Sequence, residues 1–277
     1  MNKLSELQVE EEILVIATAM EMEAAPFLRD LEDAKTVSLA GQTWHTGAWN
    51  GRKTCVITTG IGLTNAACAA ARAHLVFGDH LRTYICAGTT GGLAKEVNVT
   101  DVIVGTQFVY SRADATAFGY EPGQVPGLPA IFSAGAELTE IAGGLPSSVT
   151  VPAEVPVPTE MPVTAEVTVP AGADNAANSA AQHPMPVTIR IGQVASSDAF
   201  ITEKNVEDMR EIFPLALGAD MESTAAAQVC ALAGVEFLSV RGVSDLCGPS
   251  ADQDFHVDGS IAAAVSAHFV KHVVDAL

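Results

Sequence analysis

Residues Ile13-Leu14-Val15-Ile16-Ala17 form an unbroken apolar run, and carboxylates follow it at once in Ala19-Met20-Glu21-Met22-Glu23-Ala24. A run that short and that uniformly apolar reads as a buried strand. The same arrangement recurs twice. Ala219-Asp220-Met221-Glu222-Ser223-Thr224 opens an alanine-rich segment, and Val240-Arg241-Gly242-Val243-Ser244-Asp245 closes another apolar run. Each motif places carboxylates where a strand-like run ends or a helix-like run begins. In open α/β sheets, ligands sit at the carboxyl ends of the strands. Carboxylates converging there suit a sugar, a base and a proton better than they suit a phosphate.

The rest of the chain continues the alternation. Strands are predicted at 13–19, 43–46, 54–59, 83–87, 101–104, 108–110, 188–194 and 236–240. Helices are predicted after the first strand, with Pro26 in the first turn, where proline is tolerated, and at 65–77, 224–233 and 260–274. The last puts Ile261, Val265 and Phe269 on one face. Gly60-Ile61-Gly62 reads as a turn, and Gly88-Thr89-Thr90-Gly91-Gly92 as a glycine-rich turn from strand to helix. Strands alternating with helices define the α/β class, here a single domain around a central twisted mixed sheet. One stretch departs from this. From about 143 to 187 the chain is Val, Pro, Ala, Thr and Glu without aromatics or apolar period. It reads as a solvated insertion within a domain spanning 1–277, with a small β-excursion as the alternative because valine favours strands. Deleting Ser147 to Gln182 is then expected to leave a folded, active chain.

Bulk properties exclude several classes. A net charge of −19 argues against nucleic acid or an anionic membrane as partner. Mean hydropathy is +0.28, yet no apolar run approaches the roughly 18 residues of a spanning helix. The N-terminus is acidic and lacks the basic start of a signal peptide. Cys55, Cys68, Cys86, Cys230 and Cys247 form no CxxC pair; they read as small buried residues of a reducing cytoplasm, without a zinc site. His268 and His272 stand at i, i+4, but no third ligand accompanies them, so this pair, like His45, His74, His80, His183 and His256, gives no metal spacing.

Each candidate residue has an ordinary reading beside the functional one. Glu21 and Glu23 sit where acids complement a helix dipole; that suffices for Glu21, and Glu23 stays open. Gly88–Gly92 offers backbone N–H groups to an oxygen-rich ligand, though it matches no phosphate-loop pattern. Glu222 can accept two hydrogen bonds from a ribose diol or merely start a helix. Asp245 can be held protonated by burial and donate to a purine nitrogen, or simply cap a turn.

Taken in order, these segments resemble the 5′-methylthioadenosine/S-adenosylhomocysteine nucleosidase family of the purine nucleoside phosphorylase-like superfamily. The resemblance covers about 13–132 and 189–277. Its words are Ala19–Glu23, Gly60-Ile61-Gly62, Gly88–Gly92, Asp114–Tyr120, Ser197-Asp198-Ala199-Phe200-Ile201, Asp220-Met221-Glu222 and Arg241–Asp245. It implies hydrolysis of an N-glycosidic bond, releasing adenine, with no metal or redox cofactor. It implies that Glu23 activates the attacking water and that Asp245, placed by Ser244, protonates adenine N7. Glu222 would hold the ribose hydroxyls and Met221 would pack on the sugar. Phe200 would stack on adenine, the Ile201 backbone would bond its edge, and Gly91 would lie close to the ligand. Ile61, Phe255 and, from a second copy, Phe118 and Pro126 would line the 5′-thio pocket, which implies a homodimer. Departures are Thr89 and Thr90, which replace a small pair and add bulk at the pocket floor, Asp220 in place of glutamate, and the insertion. Futalosine hydrolase and a purine nucleoside phosphorylase remain the alternatives.

Overall fold

The computed structural model describes residue 7 and residues 9–151, 185–249 and 251–277. In chain order they form β1 (Ile13–Thr18), α1 (Glu21–Arg29), β2 (Glu32–Leu39), β3 (Gln42–Trp49), β4 (Arg52–Thr58), α2 (Leu63–Phe77), β5 (Leu81–Gly92) and β6 (Val102–Tyr110). These are followed by β7 (Phe132–Ser133), α3 (Ala136–Gly144), β8 (Ser148–Val151), β9 (Met185–Ser196), α4 (Val206–Ile212), β10 (Ala216–Asp220), α5 (Ser223–Ala233), β11 (Glu236–Asp245) and α6 (Ala251–Ala276).

The main sheet has the order β10-β9-β6-β11-β5-β1-β4-β3-β2. It is mixed: β1 runs parallel to β4 and β5, and β5 to β11, whereas β11–β6, β2–β3 and β3–β4 are antiparallel. β10 also pairs with the end of β5, Gly218 opposite Gly92 and Ala219 opposite Gly91, so one half of the sheet curls back on itself. Glycine is needed at that seam: a Cβ on Gly218 would lie 2.9 Å from Thr90 Oγ1, and one on Gly92 would lie 2.9 Å from Val97. Helices cover both faces. On one side α2 and α5 bury Ala66, Ala69, Ala70, Ala73, Ala226 and Ala227. On the other, α1, α3 and α6 bury Phe27, Leu138, Val265, Phe269 and Val273. The predicted architecture, one α/β domain around a twisted mixed sheet, is the one observed.

Local expectations need correction in several places. The glycine-rich segment is not a strand-to-helix turn. β5 continues through it to Gly92 and pairs with β11 and β10; tertiary pairing overrides the local turn signal of the glycines. The two strands expected at 101–104 and 108–110 are one, β6, with a register shift between Gly105 and Gln107. Pro26 lies in the second turn of α1, because the helix already begins at Glu21. β2 escaped the sequence reading because it is an edge strand, exposed except at buried Val37 and partly buried Leu39, and so carries no continuous buried stripe. At the base of the insertion, β8 pairs antiparallel with the start of β9, Val151 opposite Met185. Val151 and Val187 enter the core, so this base is the β-excursion and not solvated chain. Residues 152–184 lie outside the described residues. Among the described residues, no helix is long and apolar enough to cross a membrane.

Candidate active site

Glu23 occupies the third position of α1, 1% exposed. Its Oε2 accepts the N–H groups of Ala19 (2.9 Å) and Met20 (3.1 Å), so it closes the helix start as an ordinary capping acid does. Its Oε1 reaches across to β5, accepting the Thr89 N–H and the Thr89 hydroxyl, each at 2.8 Å. Gly88 makes that crossing possible. Its φ is +147°, and a Cβ there would sit 2.5 Å from Glu23 Oε1. Four donors thus fill the lone-pair positions of one carboxylate. Only the Thr89 hydroxyl can rotate away; the three backbone donors cannot.

The next layer is charged and buried. Arg241, 1% exposed, points from β11 into a nest of acceptors. Its Nη2 lies 3.0 Å from Asp220 Oδ2 and 3.4 Å from Glu222 Oε2, and its Nη1 donates to the Thr89 carbonyl at 3.3 Å. Burial works against the charged guanidinium, yet Cys86, Asp220, Glu222 and Glu23 around it raise its pKa above the ordinary value. Glu222, the residue preceding α5, also accepts the Gly62 N–H at 3.0 Å. Burial pushes its pKa up to about 7; Arg241 opposes this, and Asp220 and Glu23 add to it.

Asp245 ends β11 opposite Gly91. Its Oδ2 accepts the Ser244 hydroxyl and its Oδ1 the Cys247 N–H, both at 2.9 Å. Ser244 also lies within 3.3 Å of the Thr90 carbonyl. Burial raises the Asp245 pKa above its ordinary value, against the Cys247 and Ser244 donors. The segment 88–91 is therefore the spine of the site: Glu23 on Thr89, Ser244 beside Thr90, Asp245 beside Gly91. The added threonines brace this spine, since the Thr90 hydroxyl is taken by the Ala219 carbonyl at 2.9 Å.

Around this polar floor stands an apolar rim. Phe200 and Phe255 meet edge to face at 6.4 Å. Phe200 and Ile61 are half-exposed, Met221 is partly buried, and Ile201 is buried. Asp198 Oδ1 accepts the Leu63 N–H at 2.7 Å, which ties the Phe200 loop to the start of α2 beside Ile61. Phe118, 83% exposed on a short helical turn, and exposed Pro126 are not brought into this group; no hydrogen bond or ring contact given for either reaches it.

The residues that sequence reasoning passed over are Thr89 as a partner of Glu23, Arg241, and Asp220 as the acid that binds it. Arg241 carried a readable signal: an arginine inside an apolar strand must be paired. Elsewhere, His272 Nδ1 lies 3.0 Å from the His268 carbonyl, a contact within the helix, while His183 and the side chain of His256 lie outside the described residues. A concavity of about 420 Å³ at the opposite ends of the strands is lined by Arg52, Lys53, Arg82 and the acids Glu11, Glu12 and Glu137. Its charges cancel, with Lys53–Glu11 at 3.3 Å and Arg82–Glu12 at 4.0 Å.

A mixed sheet curled around the buried carboxylates Glu23, Asp220, Glu222 and Asp245, on a chain whose residues 13–275 match the phosphorylase superfamily, identifies the class: the chain belongs to that superfamily. Within it, the chain is similar to the 5′-methylthioadenosine/S-adenosylhomocysteine nucleosidase of Geobacillus sp. (strain WCH70), 29% identical over 267 residues, 95% of this chain and 98% of that protein. It is also similar to the Neisseria meningitidis nucleosidase of the same name solved with methylthio-immucillin-A: 29% identity, TM-score 0.77, covering 96% of this chain and 100% of that one. The Colwellia psychrerythraea 34H nucleosidase solved with adenine gives 27% identity and TM-score 0.77, covering 97% of this chain and 96% of that one.

Proposed function

We propose that this chain is an N-glycosidic bond hydrolase acting on 5′-methylthioadenosine and S-adenosylhomocysteine, releasing adenine and a 5-thio-substituted ribose. The observation that carries this reading is the convergence of Glu23 and Asp245 on β5 residues 88–91, with Glu222 joined to them through Arg241, which donates to the Thr89 carbonyl. Glu222 accepts the two ribose hydroxyls. Asp245, whose pKa burial raises, gives its proton to adenine N7 as the C1′–N9 bond breaks and its electron pair withdraws into the base. Water adds to C1′, which has oxocarbenium character, and Glu23 takes the proton water sheds, the Thr89 hydroxyl turning away to free a lone pair. Solvent then returns a proton to Asp245 and removes one from Glu23. Phe200 stacks on the base, the Ile201 backbone bonds its edge, Met221 packs on the sugar, and Ile61 and Phe255 border the 5′ substituent.

A phosphorylase would need a cation for its dianionic nucleophile. The one guanidinium beside these carboxylates, Arg241, is already bound by Asp220 and Glu222. A second copy completes the 5′ pocket with Phe118 and Pro126, giving a homodimer. The whole chain acts as one nucleosidase domain carrying an insertion near 143–187. Adenine release from thioadenosines places the enzyme in nucleoside catabolism and methionine salvage. Five unpaired cysteines support a reducing, cytoplasmic setting. An adenine-release assay on methylthioadenosine, S-adenosylhomocysteine, inosine and futalosine, with and without phosphate, tests the reading. Phosphate-independent release from the first two is expected. A phosphate requirement, or preference for inosine or futalosine, overturns it.

A further inference from the structure

Asp220 is the acid in the second motif that the mechanism leaves unused, yet it is among the most heavily bonded side chains in the molecule. Its Oδ1 accepts the Ser196 hydroxyl at 2.5 Å and the Glu222 and Ser223 N–H groups at 3.4 and 3.3 Å. Its Oδ2 accepts the Ser223 hydroxyl and the Arg241 guanidinium. The two backbone bonds fold Asp220–Ser223 into the turn from which Glu222 projects. The ion pair holds Arg241 nearer to Asp220 (3.0 Å) than to Glu222 (3.4 Å). The charged groups around Glu222 are Arg241 from β11, Asp220 from β10 and Glu23 from α1, with the Gly62 amide at the start of α2 and the neutral Cys86 thiol on β5. One guanidinium thus pairs with two buried carboxylates, with a third, Glu23, nearby, and Asp220 holds the larger share of it. Buried carboxylates in excess over cations retain a proton.

We propose that Asp220 is a positioning residue that aims Glu222 at the ribose and, by holding Arg241 to itself, leaves Glu222 a proton that the ribose diol expels on binding. Both diol hydroxyls donate, one towards each carboxylate oxygen, so a proton on Glu222 competes with one of them and the ionised form binds the diol better. The proton leaves the Glu222 carboxyl for the buffer, and no bond to carbon changes. The proposal rests on the nucleosidase reading, because diol recognition presupposes a riboside.

Calorimetry on the wild-type protein tests it, using a carbon-linked, non-hydrolysable 5′-methylthio adenine riboside and its 2′,3′-dideoxy counterpart. Titrations run in two buffers of different ionisation enthalpy, at a pH just below the value of about 7 that Glu222 takes. Release of a substantial fraction of a proton with the riboside, and none with the dideoxy compound, is expected. No release with the riboside, or equal release with both, overturns the proposal whether or not any variant folds. Asp220→Asn supplies the second arm. With its charge gone, Arg241 turns to Glu222, and the acid-side rise in KM moves to lower pH. A displacement of one unit reads as about a tenfold difference in KM on the acid side. A folded Asp220→Asn protein whose KM–pH profile coincides with wild type overturns the role of Asp220. Failure of wild type to release adenine from methylthioadenosine counts against the nucleosidase reading alone, because proton release is read from binding.

Discussion

At the scale of single residues, the site works by giving carboxylates of similar chemistry different surroundings. Glu23 is held by four donors, Glu222 shares a guanidinium, and Asp245 is buried beside a hydroxyl. Glu23→Gln is expected to keep adenine binding and lose turnover by about 10²–10⁴, since an amide cannot take a proton from water. It also sets an NH₂ group against existing donors, so a lower melting temperature is expected alongside the kinetic loss. A variant within a few-fold of wild-type turnover removes Glu23 from the mechanism. Asp245→Asn is expected to fail selectively: an adenine nucleoside loses far more rate than a nitrophenyl riboside, whose leaving group departs unprotonated. Equal losses contradict the acid role. Stability should carry a pH signature from Glu222. Its pKa rises from 4.5 to about 7 on folding, so the folded protein binds more protons than the unfolded chain between those values. Its stabilising contribution is full below 4.5 and is lost as pH rises through about 7. The melting-temperature advantage of wild type over Glu222→Gln should shrink across that window; a constant difference is inconsistent with this linkage.

Among the elements, β5 decides most. It supplies the central sheet pairings, closes the curled half against β10 and presents residues 88–91 to Glu23, Ser244 and Asp245. Gly88→Ala tests how tightly that strand and Glu23 are fitted. The added methyl meets the Glu23 carboxylate at 2.5 Å at a φ of +147°, and overpacking of this kind costs about 1–3 kcal/mol. Turnover should fall by more than about tenfold with a lower melting temperature; unchanged kinetics show that Glu23 has other room. The base of the insertion gives a second test. Because Val151 pairs with Met185, residues 152–184 can be replaced by a two-residue Asn-Gly turn that preserves β8. The expectation that everything from Ser147 could be removed is replaced by this one, since Ser147–Val151 supplies strand and core. Retained adenine release and melting temperature are expected. Loss of either, with the catalytic residues intact, assigns 152–184 a structural or functional part.

For the whole molecule, the rim residues Ile61 and Phe200 remain half-exposed in one chain. Phe118 stands 83% exposed on a turn braced by Asp114, whose Oδ1 accepts the Thr116 N–H and hydroxyl at 2.9 and 2.8 Å. A large aromatic exposed to solvent on a hydrogen-bonded turn has the features of an interface anchor. Light scattering at assay concentration should give the mass of two chains. Phe118→Ser should raise KM for methylthioadenosine about tenfold or more, the scale of a truncated anchor. A fully active monomer overturns the dimer.

The sequence by itself determined the α/β class and the three carboxylate motifs, because apolar runs ended by acids are local patterns that one strand and its exit turn suffice to write. The family resemblance, and not any local pattern, marked the placing role of Ser244 and the Phe200–Ile201 pair. Only the tertiary structure decided that Gly88–Gly92 is strand, that Thr89 grips Glu23, and that Asp220 holds Arg241. Each of those facts is a bond between residues apart in the chain: Glu23 and Thr89 are 66 positions apart, and Thr90 and Ala219, at the seam that holds 88–92 as strand, are 129 apart. Local propensity carries no record of such partners. β10, Ala-Leu-Gly-Ala-Asp, was illegible for the same reason, since its strand character comes from the neighbours it pairs with; β8 was legible only as the β-excursion that its valines allowed.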